Sequence, residues 1–228
     1  MSQDKTVVVA GATGRAGRLI VKELRERDYA VRAILVPPFD APDQPEFVQA
    51  GVQTIEADLS QPQSIERAAD GADFLISAIG SRKPFNTKEL DRIDNTGNRN
   101  LAKAAIAKGL KHVVVISSNG VGNSQWAINL MHKLSMWFIL KAKERAENFV
   151  RTSGVSYTII RPGGYNEEGL SGKVVFGEGG GLSGRIGRGE VARVCVDALS
   201  NPAMKNRILE VMDDARVKED RRKYIIEL

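Results

Sequence analysis

The stretch that decides the fold reads Thr6-Val-Val-Val-Ala10-Gly11-Ala12-Thr13-Gly14-Arg15-Ala16-Gly17. A run of apolar β-formers passes directly into glycines spaced by three, and an amphipathic helical pattern of leucine, isoleucine and valine follows over 19–24. This order predicts a buried strand, a tight turn and a helix. Because such a turn presents backbone N–H groups and the positive end of a helix dipole, it suits an anion.

The glycine spacing indicates that this anion is the pyrophosphate of a dinucleotide. Glycine permits positive φ and a close approach of phosphate to the backbone. An ordinary surface turn is the alternative, but a glycine turn between a strand and a helix near the N-terminus of an α/β chain is typical of dinucleotide binding. The residues assigned to this cradle are Gly11, Thr13, Gly14, Arg15, Ala16 and Gly17.

The composition is that of one ordinary globular domain. The chain has 228 residues, of which 42% are hydrophobic and 27% charged, and its net charge is +5. No linker divides it, so we expect a single domain over 1–228. The basic residues are spread along the chain, which argues against a nucleic-acid partner. A lone Cys195 in an apolar pattern and two distant histidines, His112 and His132, predict neither a disulfide nor a metal site.

The sequence also bears on location and assembly. Ser2-Gln3-Asp4-Lys5 leads into the first strand without a basic and apolar leader, which favours a cytoplasmic protein. The apolar segment 126–140 is too short for a membrane span and contains His132 and Lys133, so we expect no stable membrane insertion. We expect a monomer or a homodimer.

Strands and helices alternate along the chain. Short β-branched runs predict strands at 6–10, 30–36, 53–57, 74–78, 112–117, 156–160 and 207–211. Amphipathic patterns predict helices at about 15–27, 62–69, 87–108, 126–152 and 188–200. The expected fold is α/β, a single-domain Rossmann-type doubly wound parallel sheet with helices on both faces. The proline-rich segment 37–45 and the glycine-rich segment 167–189 are expected to be loops, the second a lid that borders a ligand.

Several of these segments together resemble the atypical short-chain dehydrogenases/reductases, including the NmrA-like NAD(P)H-binding proteins and the biliverdin-IXβ and flavin reductases. The resemblance covers about residues 5–215. The segments that carry it are Gly11-Ala-Thr-Gly14-Arg15-Ala-Gly17, Ala57-Asp58-Leu59, Val115-Ile-Ser-Ser118-Asn-Gly120, Lys143-Glu-Arg-Ala-Glu147 and Tyr157-Thr-Ile-Ile-Arg161-Pro162-Gly163-Gly164. Members of this group share the cofactor site more than the chemistry.

The resemblance implies roles for residues at the strand ends. Asp58 would accept a hydrogen bond from the adenine amino group, although a carboxylate that only caps a loop is the alternative, and Leu59 would lend a backbone N–H. The further cofactor contacts would be Ala78, Ile79, Gly80, Ser117, Ser118, Lys143, Pro162, Gly163 and Gly164. Lys143 would hold the nicotinamide ribose, and Ser118 would orient the carboxamide or the substrate; these two are the candidate catalytic residues.

One departure from the family concerns the choice of cofactor. Relatives that use NADP carry an arginine directly after the second strand, whereas this chain has Leu35-Val36-Pro37. The strand end also lacks the acidic residue that binds the ribose of NAD. Arg15 remains as a cation that could pair with the 2′-phosphate, or it is an ordinary solvated arginine. The sequence therefore favours NADP(H), with NAD(H) as the alternative.

The other departure concerns proton transfer. Standard members of the superfamily use a tyrosine four residues before the lysine, and here Ile139 stands four residues before Lys143. The remaining chemistry is hydride transfer to a flat conjugated acceptor, such as a flavin, a quinone or a linear tetrapyrrole, that solvent protonates. The predicted substrate contacts are Asn119, Trp126 and Trp137, although the tryptophan segment could instead pack against a partner subunit. A non-catalytic NAD(P)H sensor or assembly factor is the alternative function.

Overall fold

The architecture of the protein is that of a computed structural model. The residues described are 5–37, 40, 44–81, 83, 85–169 and 171–228, with the side chain of His132 left out. Of the predicted loop 37–45, only Pro37, Asp40, Gln44 and Pro45 fall in this set.

Eleven strands form two sheets within the described ranges. They are β1 (Thr6–Ala10), β2 (Ala30–Leu35), β3 (Gln53–Glu56), β4 (Phe74–Ser77), β5 (His112–Ile116), β6 (Tyr157–Pro162), β7 (Gly164–Tyr165), β8 (Val174–Gly177), β9 (Arg185–Ile186), β10 (Arg207–Asp213) and β11 (Ile225–Ile226). The main sheet has the order β11-β8-β10-β6-β5-β4-β1-β2-β3, and β7 pairs with β9 in a separate ribbon. The stretch from β3 to β10 is parallel, and β8 adds to it antiparallel.

Helices cover both faces of this sheet. They are α1 (Arg15–Glu26), α2 (Pro45–Gln49), α3 (Pro62–Ala69), α4 (Thr87–Leu90), α5 (Asn98–Ala107), α6 (Leu130–Ser135), α7 (Trp137–Thr152) and α8 (Arg188–Asp197). A π-helical segment (Asp91–Gly97) interrupts the predicted helix 87–108, and the predicted helix 126–152 is replaced by a 3₁₀ turn (Gly122–Ala127) followed by α6 and α7. The predicted α/β fold with a doubly wound, mostly parallel sheet is confirmed.

The first strand shows how the sequence builds these layers. Val7 and Val9 belong to a core cluster with α1 and α8 on one face of the sheet, whereas Val8 belongs to the cluster with α3 and α5 on the other. All three valines are completely buried. Successive side chains of a strand point to opposite faces, so a central strand covered on both sides is apolar throughout. The uninterrupted apolar run before Gly11 is therefore the signal of a central strand.

The glycine-rich segment 167–189 packs more closely than the sequence suggested. It contributes β8 to the main sheet and β9 to the ribbon, and Leu182 is completely buried. At Gly177 a Cβ would lie 2.6 Å from Leu182 Cβ, and at Gly184 it would lie 2.6 Å from the Arg216 carbonyl oxygen. Some of these glycines are thus needed for close backbone packing rather than for flexibility.

Cys195 is buried in α8, as expected for a structural thiol, and its burial raises its pKa. Within the described ranges, no group of three or more His, Cys, Asp or Glu side chains could hold a metal ion. Among the helices in the described part of the chain, none is both long and apolar enough to cross a membrane.

Candidate functional site

The strand order reverses between β1 and β4, and a cavity of about 290 Å³ opens there. We call it the switch-point cavity. It is lined by Gly11, Thr13, Gly14, Val36, Asp40, Leu59, Ala78, Ile79, Gly80, Ser81, Lys83, Glu89 and Ile93. Ligands of open α/β sheets bind at this position, outside the carboxyl ends of the strands. The sequence-predicted residues Gly11, Thr13, Gly14, Leu59, Ala78, Ile79 and Gly80 are brought together here.

The glycine turn fits a pyrophosphate. Gly11 has a φ of 77°, and a Cβ there would lie 2.7 Å from the carbonyl carbon of Ala78. A Cβ at Gly17 would collide with the Gly11 carbonyl oxygen, so α1 can approach the turn only without a side chain at that position. The first N–H groups of α1 have no acceptor within the helix and point towards the turn. Backbone donors without side-chain obstruction are what a bound phosphate requires.

Arg15 begins α1 and is exposed. Its guanidinium forms no hydrogen bond or ion pair with the part of the chain that the structure describes. It does not line the switch-point cavity, and Ala16 beside it packs partly against the core. Arg15 is therefore free to meet an anion from outside the cavity.

Asp40 occupies a position that the sequence analysis missed. Its Oδ1 accepts a hydrogen bond from Thr13 Oγ1 at 2.5 Å, and its Oδ2 accepts one from the backbone N–H of Val36 at 2.8 Å. The loop therefore returns a carboxylate to the end of β2, although no acidic residue follows that strand directly. The Asp40 N–H also donates a hydrogen bond to the Val36 carbonyl at 3.1 Å, which forms a turn. The sequence alone did not predict this turn.

Asp58 and Leu59 follow β3 and differ in placement. Leu59 is buried and lines the switch-point cavity, but Asp58 does not. The Asp58 carboxylate accepts hydrogen bonds at 2.8 Å from both the N–H and the hydroxyl of Ser60, and these bonds lower its pKa. This is the geometry of a loop-capping carboxylate, the alternative that the sequence left open, and it keeps Asp58 ionised beside the cavity wall.

A second cavity of about 270 Å³ lies beyond the ends of β5 and β6. We call it the β5–β6 cavity. It is lined by Ser117, Ser118, Asn119, Ile128, Met136, Pro162, Gly163, Gly164, Tyr165, Ser183 and Gly184. All the predicted residues at these two strand ends meet here, and the glycine-rich segment contributes its wall through Ser183 and Gly184.

The polar groups of the β5–β6 cavity are mostly engaged. Ser118 Oγ donates to the Asn119 carbonyl at 3.0 Å, and Ser183 Oγ donates to the Ala127 carbonyl at 2.7 Å. Asn119 Nδ2 donates to the Leu182 carbonyl at 2.9 Å, whereas its buried Oδ1 has no hydrogen-bond partner among the described residues. A buried acceptor without a partner is costly unless a ligand supplies a donor.

The two tryptophans predicted to contact substrate lie outside this cavity. Trp126 is 74% exposed and Trp137 is 41% exposed, and each lies beneath the amine of Lys133. The 3₁₀ turn and the break at Met136 rotate the segment, so that Ile128 and Met136 face the cavity instead. The remaining aromatic wall comes from Tyr165, whose ring lies 4.2 Å below the guanidinium carbon of Arg188.

Beneath the β5–β6 cavity lies a buried ionic network. Glu147 on α7 accepts hydrogen bonds from Arg161 Nε at 3.0 Å and Arg161 Nη2 at 2.6 Å, and also from the hydroxyl of Ser117. Arg161 Nη1 donates to Asn123 Oδ1 at 2.6 Å. The Ser117 hydroxyl thus donates its proton to Glu147 while the residue also lines the β5–β6 cavity.

Lys143 lies on α7 and is not among the residues that line either cavity. Its Nζ lies 2.9 Å from Oδ1 of Asp94, which is 1% exposed, and Oδ2 of Asp94 accepts the backbone N–H of Ser81 at 2.9 Å. Ser81 lines the switch-point cavity, while α7 begins next to Met136 of the β5–β6 cavity. The ion pair thus links Lys143, through Asp94, to Ser81 of the switch-point cavity. Asp94 was not singled out from the sequence.

A family model described as NAD(P)H-binding matches residues 11–202. The chain belongs to this NAD(P)H-binding family. The match runs from the glycine turn to the residues after α8, so it includes both cavities. The resemblance to atypical short-chain dehydrogenases/reductases is confirmed by this match and by the relatives.

The relatives of this NAD(P)H-binding protein span most of its length. It is 32% identical over 231 residues to a chloroplastic protein of Arabidopsis thaliana, with 96% of this chain and 80% of the relative covered. It is 29% identical over 251 residues to sanguinarine reductase of Eschscholzia californica, with coverages of 92% and 89%. A similar solved structure is ChuY, an anaerobilin reductase from Escherichia coli O157:H7, with a TM-score of 0.79, 21% identity and coverages of 92% and 98%.

Proposed function

We propose that the protein is an NAD(P)H-dependent reductase that transfers a hydride to a flat conjugated acceptor, such as a flavin, a quinone or a linear tetrapyrrole. The observation that carries the proposal is the lining of the β5–β6 cavity. Its described wall combines apolar side chains and the ring of Tyr165 with hydroxyl and amide groups, and contains no carboxylate, imidazole or amine. Such a wall suits a flat, largely apolar molecule that needs orientation more than acid catalysis.

The residues of the switch-point cavity would hold the cofactor. The N–H groups at the start of α1 would bind the pyrophosphate, and Leu59 and Ile79 would cover the adenosine with apolar surface. Lys143 would donate hydrogen bonds to hydroxyls of the nicotinamide ribose from the position that Asp94 gives it. Bound NAD(P)H supplies the hydride. The Asn119 Oδ1 would accept a hydrogen bond from the carboxamide or from the acceptor molecule.

Protonation of the reduced product is assigned to solvent. Ile139 stands where the usual proton donor would be, and an isoleucine has no proton to give. Ser117 and Ser183 are engaged with other groups of the protein. Hydride transfer to a flavin or a quinone leaves the anionic reduced flavin or the hydroquinone monoanion, and each takes one proton from water without enzymic help. A cavity of this composition is therefore sufficient for these acceptors.

The relatives support a small-molecule acceptor. One is named sanguinarine reductase, and a structural neighbour is described as an anaerobilin reductase. We include a cytoplasmic location and a monomeric or homodimeric state in the proposal, although the Arabidopsis relative is chloroplastic.

Steady-state oxidation of NADPH and NADH, with FMN, a soluble quinone and biliverdin as acceptors, tests the proposal. We expect turnover with at least one acceptor. Tyr165→Phe should retain turnover within about threefold, because the ring and not the hydroxyl is used. Tight cofactor binding without turnover of any acceptor would instead favour the non-catalytic sensor. Strong ketone reduction that Tyr165→Phe abolishes would show that the cavity contains its own acid.

A further inference from the structure

Residues 126–138 carry an apolar surface that is exposed to solvent. Six large side chains there are each at least 41% exposed: Trp126, Leu130, Met131, Leu134, Trp137 and Phe138. The seven other exposed large apolar side chains in the described ranges are spread from Leu19 to Leu228. Single exposed apolar residues are ordinary, whereas a concentration of them marks a surface that binds something. We call residues 126–138 the apolar projection.

The helix at the centre of the apolar projection, α6, has no buried face among its described side chains. Leu130, Met131, Leu134 and Ser135 are exposed, and Lys133 is half-buried. An ordinary surface helix of a globular protein packs an apolar stripe against the core. Because the leucines and the methionine of α6 face solvent instead, this helix stands out from the body of the protein.

The apolar projection borders the β5–β6 cavity. Ile128 lies two residues before α6 and Met136 directly follows it, and both of them line this cavity. The helix therefore starts and ends at the cavity wall. Whatever binds the apolar projection is brought next to the cavity in which the acceptor would bind.

The charge of this region is positive. Residues 121–143 include three lysines and no aspartate or glutamate. Lys143 is paired with the buried Asp94, and Lys141 is paired with Glu144 of the next turn of α7. The third lysine, Lys133, forms no ion pair with the residues that the structure describes.

Lys133 is also the cation at the centre of the apolar projection. Its amine lies 5.5 Å from the centroid of the Trp126 ring and 6.0 Å from that of the Trp137 ring. A lysine with its stem along apolar side chains and its charge above exposed indoles is amphipathic in the manner of a membrane interface. The ammonium is available to an anion outside the chain.

A phospholipid surface fits these features better than a second copy of the chain. Tryptophan and lysine are typical of the headgroup level, and leucine, methionine and phenylalanine of the acyl boundary below it. An anionic headgroup supplies the partner that Lys133 lacks. In a symmetric dimer through this surface, two Lys133 amines would instead meet with no carboxylate of the segment between them.

We infer that the apolar projection docks on the surface of an anionic phospholipid membrane and holds the β5–β6 cavity next to the lipid. The docking is peripheral, with α6 at the boundary between headgroups and acyl chains. It goes beyond the proposed function and does not depend on it.

Intrinsic fluorescence tests the docking directly, because Trp126 and Trp137 are the two tryptophans of the chain. With vesicles of equal parts phosphatidylcholine and phosphatidylglycerol, we expect the emission to shift to the blue. Lipids brominated on their acyl chains should quench it. Vesicles of phosphatidylcholine alone should bind at least about fivefold more weakly, since they offer Lys133 no net negative charge.

Two variants locate the contact. Leu130→Ser/Leu134→Ser changes exposed residues, so the urea midpoint should stay the same while the vesicle partition coefficient falls at least about tenfold. The matched control is Val48→Ser/Ile106→Ser, at two exposed apolar residues of α2 and α5, and it should bind like the wild-type protein. Lys133→Gln should weaken binding to the anionic vesicles and leave binding to phosphatidylcholine alone unchanged.

Three results would overturn the inference. The first is a wild-type emission that neither shifts nor is quenched with anionic vesicles, which would leave the surface to a protein partner. The second is an equal loss of vesicle binding in the leucine variant and in its control. The third is a wild-type dimer in sedimentation equilibrium that Leu130→Ser/Leu134→Ser dissociates, which would assign the apolar projection to a second copy. Vesicle binding without turnover of any acceptor would support the docking while removing the proposed function.

Discussion

The switch-point cavity and the β5–β6 cavity are built in different ways. The glycine turn of the switch-point cavity comes from one continuous stretch, 11–17, and presents backbone groups. The β5–β6 cavity is assembled from four separate stretches, at 117–119, 128–136, 162–165 and 183–184, and presents side chains. A local backbone motif can be read from sequence, whereas a wall of distant side chains depends on how the elements pack. The cofactor is therefore easier to infer than the acceptor.

The contacts that stabilise the two cavity walls differ as well. Close contacts of glycine backbones shape the first cavity, and the buried group of Ser117, Glu147, Arg161 and Asn123 lies under the second. If this contrast holds, removing a charge from the ionic group under the β5–β6 cavity should lower the free energy of unfolding. Adding a charge at the glycine turn of the switch-point cavity should instead lower cofactor affinity.

The largest effect is expected at Glu147. Replacing it in Glu147→Gln leaves Arg161 as a buried charge without its carboxylate, which should lower the free energy of unfolding by about 3–5 kcal/mol. Urea denaturation measures this loss. Glu144→Gln on the same helix breaks the more exposed pair with Lys141 and should cost less than about 1 kcal/mol. Equal losses in the two variants would mean that the network does not support the β5–β6 cavity.

Gly14→Asp should instead act on binding. Gly14 has a φ of −71°, an ordinary value for any residue, and the nearest atom to a Cβ there is the Gly11 oxygen at 3.2 Å. The fold should therefore survive, while a carboxylate beside the pyrophosphate should raise the cofactor Kd at least about 100-fold, or about 2.7 kcal/mol.

Calorimetry compares this variant with Gly189→Asp, an exposed glycine with no atom within 4 Å of a Cβ, which should bind normally. Unchanged affinity in Gly14→Asp would remove the phosphate site from the switch-point cavity.

Lys143→Met tests whether the lysine that Asp94 holds acts on the cofactor. If the lysine binds and orients the cofactor, turnover should fall about 10- to 100-fold and the cofactor Kd or KM should rise. Lys141→Met, two residues away and exposed, should leave both nearly unchanged. Complete loss of turnover with intact cofactor affinity would show that Lys143 carries the chemistry itself.

The smallest effect is expected at the wall of the β5–β6 cavity. Met136→Ala removes apolar surface from that wall and should raise the acceptor KM about three- to tenfold, or about 1 kcal/mol, without changing cofactor affinity. Met131→Ala alters a residue that is 77% exposed and should change neither. If Met131→Ala raises the acceptor KM as much as Met136→Ala, the acceptor binds on the exposed tryptophan surface instead.

The first or last residues of several strands and helices could be predicted from the sequence to within about two residues. The strand starting at Thr6 ends at Ala10 as expected, and α1 and α3 begin at the predicted residues, Arg15 and Pro62. Their signals are local: apolar runs for buried strands, and glycine or proline at the start of helices. The antiparallel β8 has a short apolar run, Val174-Val175-Phe176, but it stands among many glycines and was not predicted as a strand. Its pairing with β10 fixes it in the sheet.

The sequence by itself determined the glycine turn, the parallel sheet around it and the presence of Ile139 four residues before Lys143, because each depends on residues that are neighbours along the chain. Only the tertiary structure decided that Asp40 returns to β2, that Asp94 holds Lys143 and that Ile128 and Met136 replace the tryptophans at the cavity. These contacts join residues across a turn, between helices or around a helix break. Their geometry follows from packing and burial, which no spacing along the chain encodes.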